Sequence, residues 1–121
     1  MADAPPSDPV AKASPAPAVR DNPAAHRLEV VTPGGTAFAE YRLHPGTITF
    51  THTLVPETLR GQGLGGRLIE AGLAMARDRG LKVIPVCPFF RAHMRAHPET
   101  HELLAPEGRK LLASGEPPRT P

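Results

Sequence analysis

The sequence predicts a mixed α/β fold of the α+β class: a meander of three antiparallel strands, then a β-α-β crossover with splayed parallel strands, then C-terminal helices. Three observations predict it. Period-two alternation runs through the segments between residues 28 and 55, an apolar stripe of helical spacing follows from Leu64 to Ala76, and a short apolar run comes after it from Leu81 to Val86. A strand, a helix and a second strand in that order imply a parallel pair joined by a right-handed crossover.

The elements follow in order. His26 to Thr32, with Leu28, Val30 and Val31, is a short strand, and Pro33-Gly34-Gly35 turns it back into a hairpin. Thr36 to His44 alternates, with Ala37, Ala39, Tyr41 and Leu43 on one face and Phe38, Glu40 and Arg42 on the other. Pro45-Gly46 ends that strand, and Thr47 to Val55 puts Ile48, Phe50, His52 and Leu54 on one face against four threonines on the other. After Pro56 the spacing becomes helical: Leu64, Leu68, Ile69, Gly72, Leu73, Met75 and Ala76 form the stripe, Arg67, Glu70, Arg77 and Asp78 the polar face, and Gly80 the stop. Leu81 to Val86 suits a buried strand. Pro88 to Ala96 suits a second helix that begins with a proline in its first turn and ends before Pro98, and Glu102 to Leu112 suits a third.

The chain has 121 residues and 16 prolines, most of them near the two ends. Residues 1–25 are dominated by Ala, Pro, Ser and Asp and lack aromatic residues, so they are expected to be a disordered arm; residues 115–121 have the same character. The domain is then expected over residues 26–114, large enough for one modest core. No stretch reaches the roughly 18 to 20 apolar residues of a membrane span, and the N-terminus lacks the order of a signal peptide, so a cytoplasmic protein is expected. A net charge of +2, one Tyr, no Trp and scattered basic residues argue against a nucleic-acid partner. A small compact domain favours a monomer. The single cysteine, Cys87, has no internal disulfide partner, which leaves core filler or chemistry.

The segment Arg60-Gly61-Gln62-Gly63-Leu64-Gly65-Gly66 joins the third strand to the long helix. Glycines there let backbone N–H groups face a ligand, and an uncapped helix N-terminus adds a positive dipole, so an anion fits. A P-loop would need Lys and then Ser or Thr after the last glycine, where Arg67-Leu68 stands. Gly61-x-Gly63-x-x-Gly66 has dinucleotide-fingerprint spacing, but the following strand runs into Cys87 rather than a ribose-binding acid.

Arg60-x-x-Gly63-x-Gly65 resembles the acetyl-coenzyme A pyrophosphate loop of the GNAT N-acetyltransferase superfamily. With His52-Thr53, Val55-Pro56, Val83-Ile84-Pro85-Val86-Cys87-Pro88-Phe89 and His97-Pro98-Glu99, the chain from about Leu28 to Leu104 resembles a short, truncated GNAT-like family. The resemblance implies a GNAT-like core that binds acetyl-CoA as cosubstrate and transfers acetyl to a primary amine on a protein, polyamine or small molecule. It implies phosphate contacts from Arg60 and the amides of Gly61, Gln62, Gly63, Leu64, Gly65 and Gly66, pantetheine contacts from the backbones of Leu54 and Val55, and further cofactor contacts from Pro88 and Phe89. A non-catalytic CoA-binding module is the alternative.

Cys87 stands before a helix start, where a dipole can lower a thiol pKa, though a free cysteine is commonly a small core residue. The resemblance implies a Cys87 near the acetyl group, as transient acetyl acceptor or thioester contact. His52 interrupts an apolar strand face and is a candidate base for the amine, against the plainer role of a hydrogen-bonded core histidine. His93, His97 and His101 recur every four residues and, with Cys87, suggest zinc; Pro98 breaks the helix between the last two, and no His-Glu-x-x-His supplies a hydrolytic base. No metal is expected.

Overall fold

The computed structural model describes residues 18–114. One sheet holds five strands in chain order: β1 (Arg20–Asn22), β2 (Arg27–Thr32), β3 (Gly35–His44), β4 (Thr47–Leu54) and β5 (Lys82–Pro85). The first four are antiparallel neighbours, and β5 joins β4 in parallel. Between β4 and β5 runs α1 (Leu64–Asp78), and after β5 come α2 (Pro88–Ala96), a 3₁₀ segment (Pro98–Leu103) and α3 (Pro106–Ser114). This is the predicted mixed class, and no helix of the described residues is long and apolar enough to cross a membrane.

Composition assigned residues 18–25 to the arm, and the structure corrects that boundary. Arg20–Asn22 pair with Arg27–Glu29, and Pro23–Ala25 form a 3₁₀ turn that Asn22 caps by accepting from the Ala25 amide. What holds β1 is tertiary. The buried Tyr41 hydroxyl donates to Asp21 at 2.6 Å, and Arg79 at the end of α1 pairs with the same carboxylate at 3.3 Å. Residues 1–17 and 115–121 lie outside the described residues.

The core lies between one face of the sheet and the helices. Leu28, Val30, Ala37, Ala39, Tyr41, Ile48, Phe50 and Val83 point inward from the strands, against Leu64, Leu68, Ile69, Leu73 and Ala76 of α1 and Phe90 and Met94 of α2. Leu43 keeps the inward phase of β3 but is 48% exposed, since it lies beyond the reach of the helices. Phe50 and Phe90 stack with ring centroids 4.1 Å apart and planes 6° apart. α1 passes so close that a Cβ on Gly72 would stand 2.9 Å from Phe50 Cε1 and Cζ and 3.1 Å from Phe90 Cζ. α3 lies along the outer edge of β5, where Ala105 N–H donates to the Val83 carbonyl.

The strand alternation of β4 is broken. Tyr41 is paired with Phe50 and Glu40 with His52, so Thr51 is an extra residue outside the register with β3, its hydroxyl donating to the Glu40 carbonyl at 3.4 Å. Ile48 and Phe50 point inward, as expected, but after the bulge it is Thr53 that points inward while His52 and Leu54 face the other way. The sequence had placed all four alternating residues on one face, and one uncounted residue reverses the second half.

The opposite face of the sheet presents Val31, Phe38, Glu40, Arg42, Thr49, His52, Leu54 and Ile84, and none of the three α-helices lies over it.

Two outcomes are expected. Gly72→Ala should destabilise the protein by up to about 2 kcal/mol in chemical denaturation, because overpacking two stacked rings costs about 1–3 kcal/mol and the helix propensity of alanine returns roughly 1 kcal/mol. Burial, followed by the bond to Asp21, pushes the Tyr41 pKa from 10.0 up to about 12. The neutral phenol is therefore the form that folding favours, and its contribution, complete below pH 10, is lost as the pH rises to about 12. Tyr41 is the only tyrosine and there is no tryptophan, so near-ultraviolet absorbance of the phenolate should show one late titration that moves to the ordinary value on unfolding.

Candidate functional site

The bulge coincides with a fork in the sheet. Pairing of β4 with β5 stops at Phe50 and Pro85, and the Cys87 amide adds one last bond to the Phe50 carbonyl at 2.8 Å. β4 then continues through Leu54 while the other chain turns into α2 at Pro88, so β4 from Thr51 onward has no strand neighbour on that side. A cleft of about 220 Å³ lies at the fork, lined by Thr53, Leu54, Val55, Arg60, Gly65, Gly66, Ile69 and Phe89.

The glycine-rich turn closes one end of this cleft. Gly61 and Gly63 have φ of 85° and 75°, left-handed values that admit glycine without strain and let the chain turn abruptly into α1. Gly63 is the N-cap of α1 and supplies no side chain to the first amides, while its carbonyl accepts from Arg67 N–H at 3.2 Å. Those amides and the helix dipole are available to an anion. A Cβ on Gly66 would meet nothing within 4 Å, so the helix presents bare backbone to the cleft there. Arg60 lies at the rim with its Nε donating to the Val55 carbonyl at 3.4 Å.

The structure sorts the candidate cofactor residues. Leu54, Val55, Arg60, Gly65, Gly66 and Phe89 line the cleft together. Gly61, Gln62 and Gly63 are exposed on the turn leading into it, and Pro88 is exposed at the first turn of α2. Leu64 offers only its backbone, since its side chain is buried in the core.

Cys87 is 1% exposed, and its Sγ donates to Thr53 Oγ1 at 3.3 Å beneath the fork. Thr53 lines the cleft as well, so one residue links the buried thiol to the open space. Accepting from the thiol leaves the Thr53 hydroxyl proton free for an oxygen in the cleft. The sequence reading missed Thr53 because uninterrupted alternation put it on the polar face, and missed Ile69 because its stripe position marked it as core.

His52 is corrected. It does not share an apolar face with Ile48 and Phe50; the bulge turns it onto the uncovered face, where it is exposed, opposite Glu40 and 6.1 Å between centroids from Phe38. It therefore stands on the opposite side of the sheet from Thr53 and Cys87. Of the spaced histidines, two stay together and the third turns to the backbone of α2. His93 and His97 stack at 4.1 Å, His97 Nδ1 donates to the His93 carbonyl, and His101 Nε2 donates to the Met94 carbonyl. Burial and the neighbouring His97 hold the His93 pKa below its usual value against the opposing pull of Glu70 and Glu99. Among the described residues no three or more His, Cys, Asp or Glu side chains form a group able to hold a metal ion.

No curated protein matches the chain. A family model described as GCN5-related N-acetyl-transferase matches residues 27–103, from the first residue of β2 to the end of the 3₁₀ segment, and so takes in the fork, the glycine-rich turn and the Cys87–Thr53 pair. The match spans more than half of the sequence, and the protein belongs to the GCN5-related N-acetyltransferase family.

Proposed function

We propose that the protein binds acetyl-CoA in the cleft at the fork and transfers the acetyl group to a primary amine. The observation that carries this reading is the junction of two features in one cleft: a β4 edge without a strand partner, and a bare, uncapped helix start beside it. The unpaired edge of β4 suits an extended amide-bearing arm such as pantetheine, which can add to it as a further strand would. The amides at the start of α1 suit the pyrophosphate, with Arg60 adding a positive charge at the rim.

Acetyl-CoA supplies an acyl carbon already activated as a thioester. The chain's own part is positioning and charge stabilisation. Thr53 Oγ1, held by the Cys87 thiol, donates to the carbonyl oxygen as negative charge develops there. Cys87 acts as the residue that fixes the Thr53 hydroxyl, and direct attack by the amine needs no acyl-enzyme. His52 takes no part inside the cleft, because it lies across the sheet from Thr53.

Gly66→Leu tests the binding site without harming the fold. The new side chain enters open space in the cleft, and leucine favours an α-helix over glycine by roughly 1 kcal/mol or somewhat less. In calorimetric titration, wild type should bind acetyl-CoA and Gly66→Leu should bind at least about tenfold more weakly while melting no lower. Absence of binding by folded wild type, or unchanged binding by the variant, overturns the site. Thr53→Val should lower kcat by about 100-fold with the Kd for acetyl-CoA unchanged, as loss of one oxyanion donor does. A wild-type kcat in that variant removes Thr53 from the reaction.

A further inference from the structure

The deep end of the cleft differs from its rim. Leu54 and Phe89 at the rim are 42% and 57% exposed, whereas Thr53 and Ile69, which line the same cleft, are 5% and 6% exposed. Thr53 belongs to β4 and Ile69 to α1, so the deep end has one of them on each wall. Their levels agree. A Cβ on Gly65 would stand 3.7 Å from Val55 Cγ2, and one on Gly72 would stand 2.9 Å from the Phe50 ring. α1 therefore runs back along β4, and Ile69 lies between those two contacts as Thr53 lies between Val55 and Phe50.

Beyond this pair the fork is shut. The Cys87 amide bonds the Phe50 carbonyl at 2.8 Å, the fully buried Phe50 and Phe90 rings stack, and α1 packs against both at Gly72. A chain that reached Thr53 from the open end would have close packing ahead of it.

We infer that Ile69 sets the length of the acyl group, admitting acetyl and turning away longer straight chains. This rests on the acetyl-CoA reading above and names the residue that selects the acyl donor. With the pyrophosphate at the start of α1, the pantetheine arm runs along β4 toward Phe50, and its thioester arrives at Thr53. The sulfur, the oxygen and the first acyl carbon lie in one plane around the carbonyl carbon. The sulfur leads back along the arm, and the oxygen takes the Thr53 hydroxyl on the β4 wall. The acyl carbon is left to the α1 wall, where Ile69 stands. A β-branched side chain is stiff at χ1, so Ile69 does not swing aside for a longer chain. The volume agrees: about 220 Å³ is less than the roughly 300–1,000 Å³ of sites that enclose a whole ligand, which leaves no reserve for a long acyl group. Each methylene too many in such a pocket is resisted by overpacking, a discrimination of roughly 10- to 200-fold.

Calorimetric titrations of the full-length protein with CoA, acetyl-CoA, propionyl-CoA and butyryl-CoA test this, each Kd being divided by that of CoA for the same protein. In wild type the ratio should stay near about 1 for acetyl-CoA and rise about tenfold or more for butyryl-CoA. Ile69→Ala should bring the butyryl-CoA ratio back toward that of acetyl-CoA. Ile69→Val removes a single methyl group, a smaller loss to the core, and should do the same for propionyl-CoA. Equal ratios for acetyl-CoA and butyryl-CoA in wild type, or wild-type ratios in Ile69→Val, overturn the assignment while CoA binding stands. If folded wild type binds none of the four, the acetyl-CoA reading fails first, and this assignment with it.

Discussion

An extra residue in one strand governs the functional end of this molecule. Thr51 has no register partner on β3, and the strand it interrupts has by then parted from β5. Up to Phe50, β4 is an ordinary interior strand, bonded on both sides and packed inward through Ile48 and Phe50. Beyond Thr51 it is bonded only to β3, and its inward residue is a threonine that reaches a thiol. A bulge increases local twist and re-aims the side chains that follow it. Here it brings a hydroxyl into the cleft and sends an imidazole out of it.

The divergence is fixed from the other side by packing. The stacked rings of Phe50 and Phe90 tie the last paired residue of β4 to α2, and α1 presses on both through the missing side chain of Gly72. Pro88 starts α2 as soon as Cys87 has made its bond to Phe50, so the chain cannot follow β4 further. The cleft therefore exists because two elements that meet at Phe50 are held apart beyond it. The glycine-rich turn then delivers the start of α1 to the mouth of that gap.

Much of this was legible in the residues. The period of β3, the apolar stripe of α1, and the prolines that bound α2 carry local chemical marks, and the structure places those elements within a residue or two of where they were expected. The motif Arg60-x-x-Gly63-x-Gly65 announced the turn. The bulge carries no such mark: Thr-His-Thr alternates as well as any strand, and only the pairing with β3 reveals that one residue is uncounted. β1 was hidden for a related reason. Arg20–Asn22 has no apolar pattern, and its place depends on Asp21 meeting Tyr41, a contact between distant parts of the chain. Local propensity cannot report either feature, because both are decided by partners far along the sequence.

The order of strands in the sheet also has a kinetic meaning. β2, β3 and β4 are joined by tight turns and can pair as soon as they are made, while β5 can reach β4 only after the whole of α1 has been laid down and docked. The fork is built at this last and least local junction. The meander can thus stand as a formed unit while the junction opens and closes, and the lowest-energy partial unfolding of the molecule would dismantle the cleft before it disturbs the hairpins. Occupancy of the cleft would then act on the least stable seam of the fold, so a bound ligand would stabilise the whole chain by holding that seam shut.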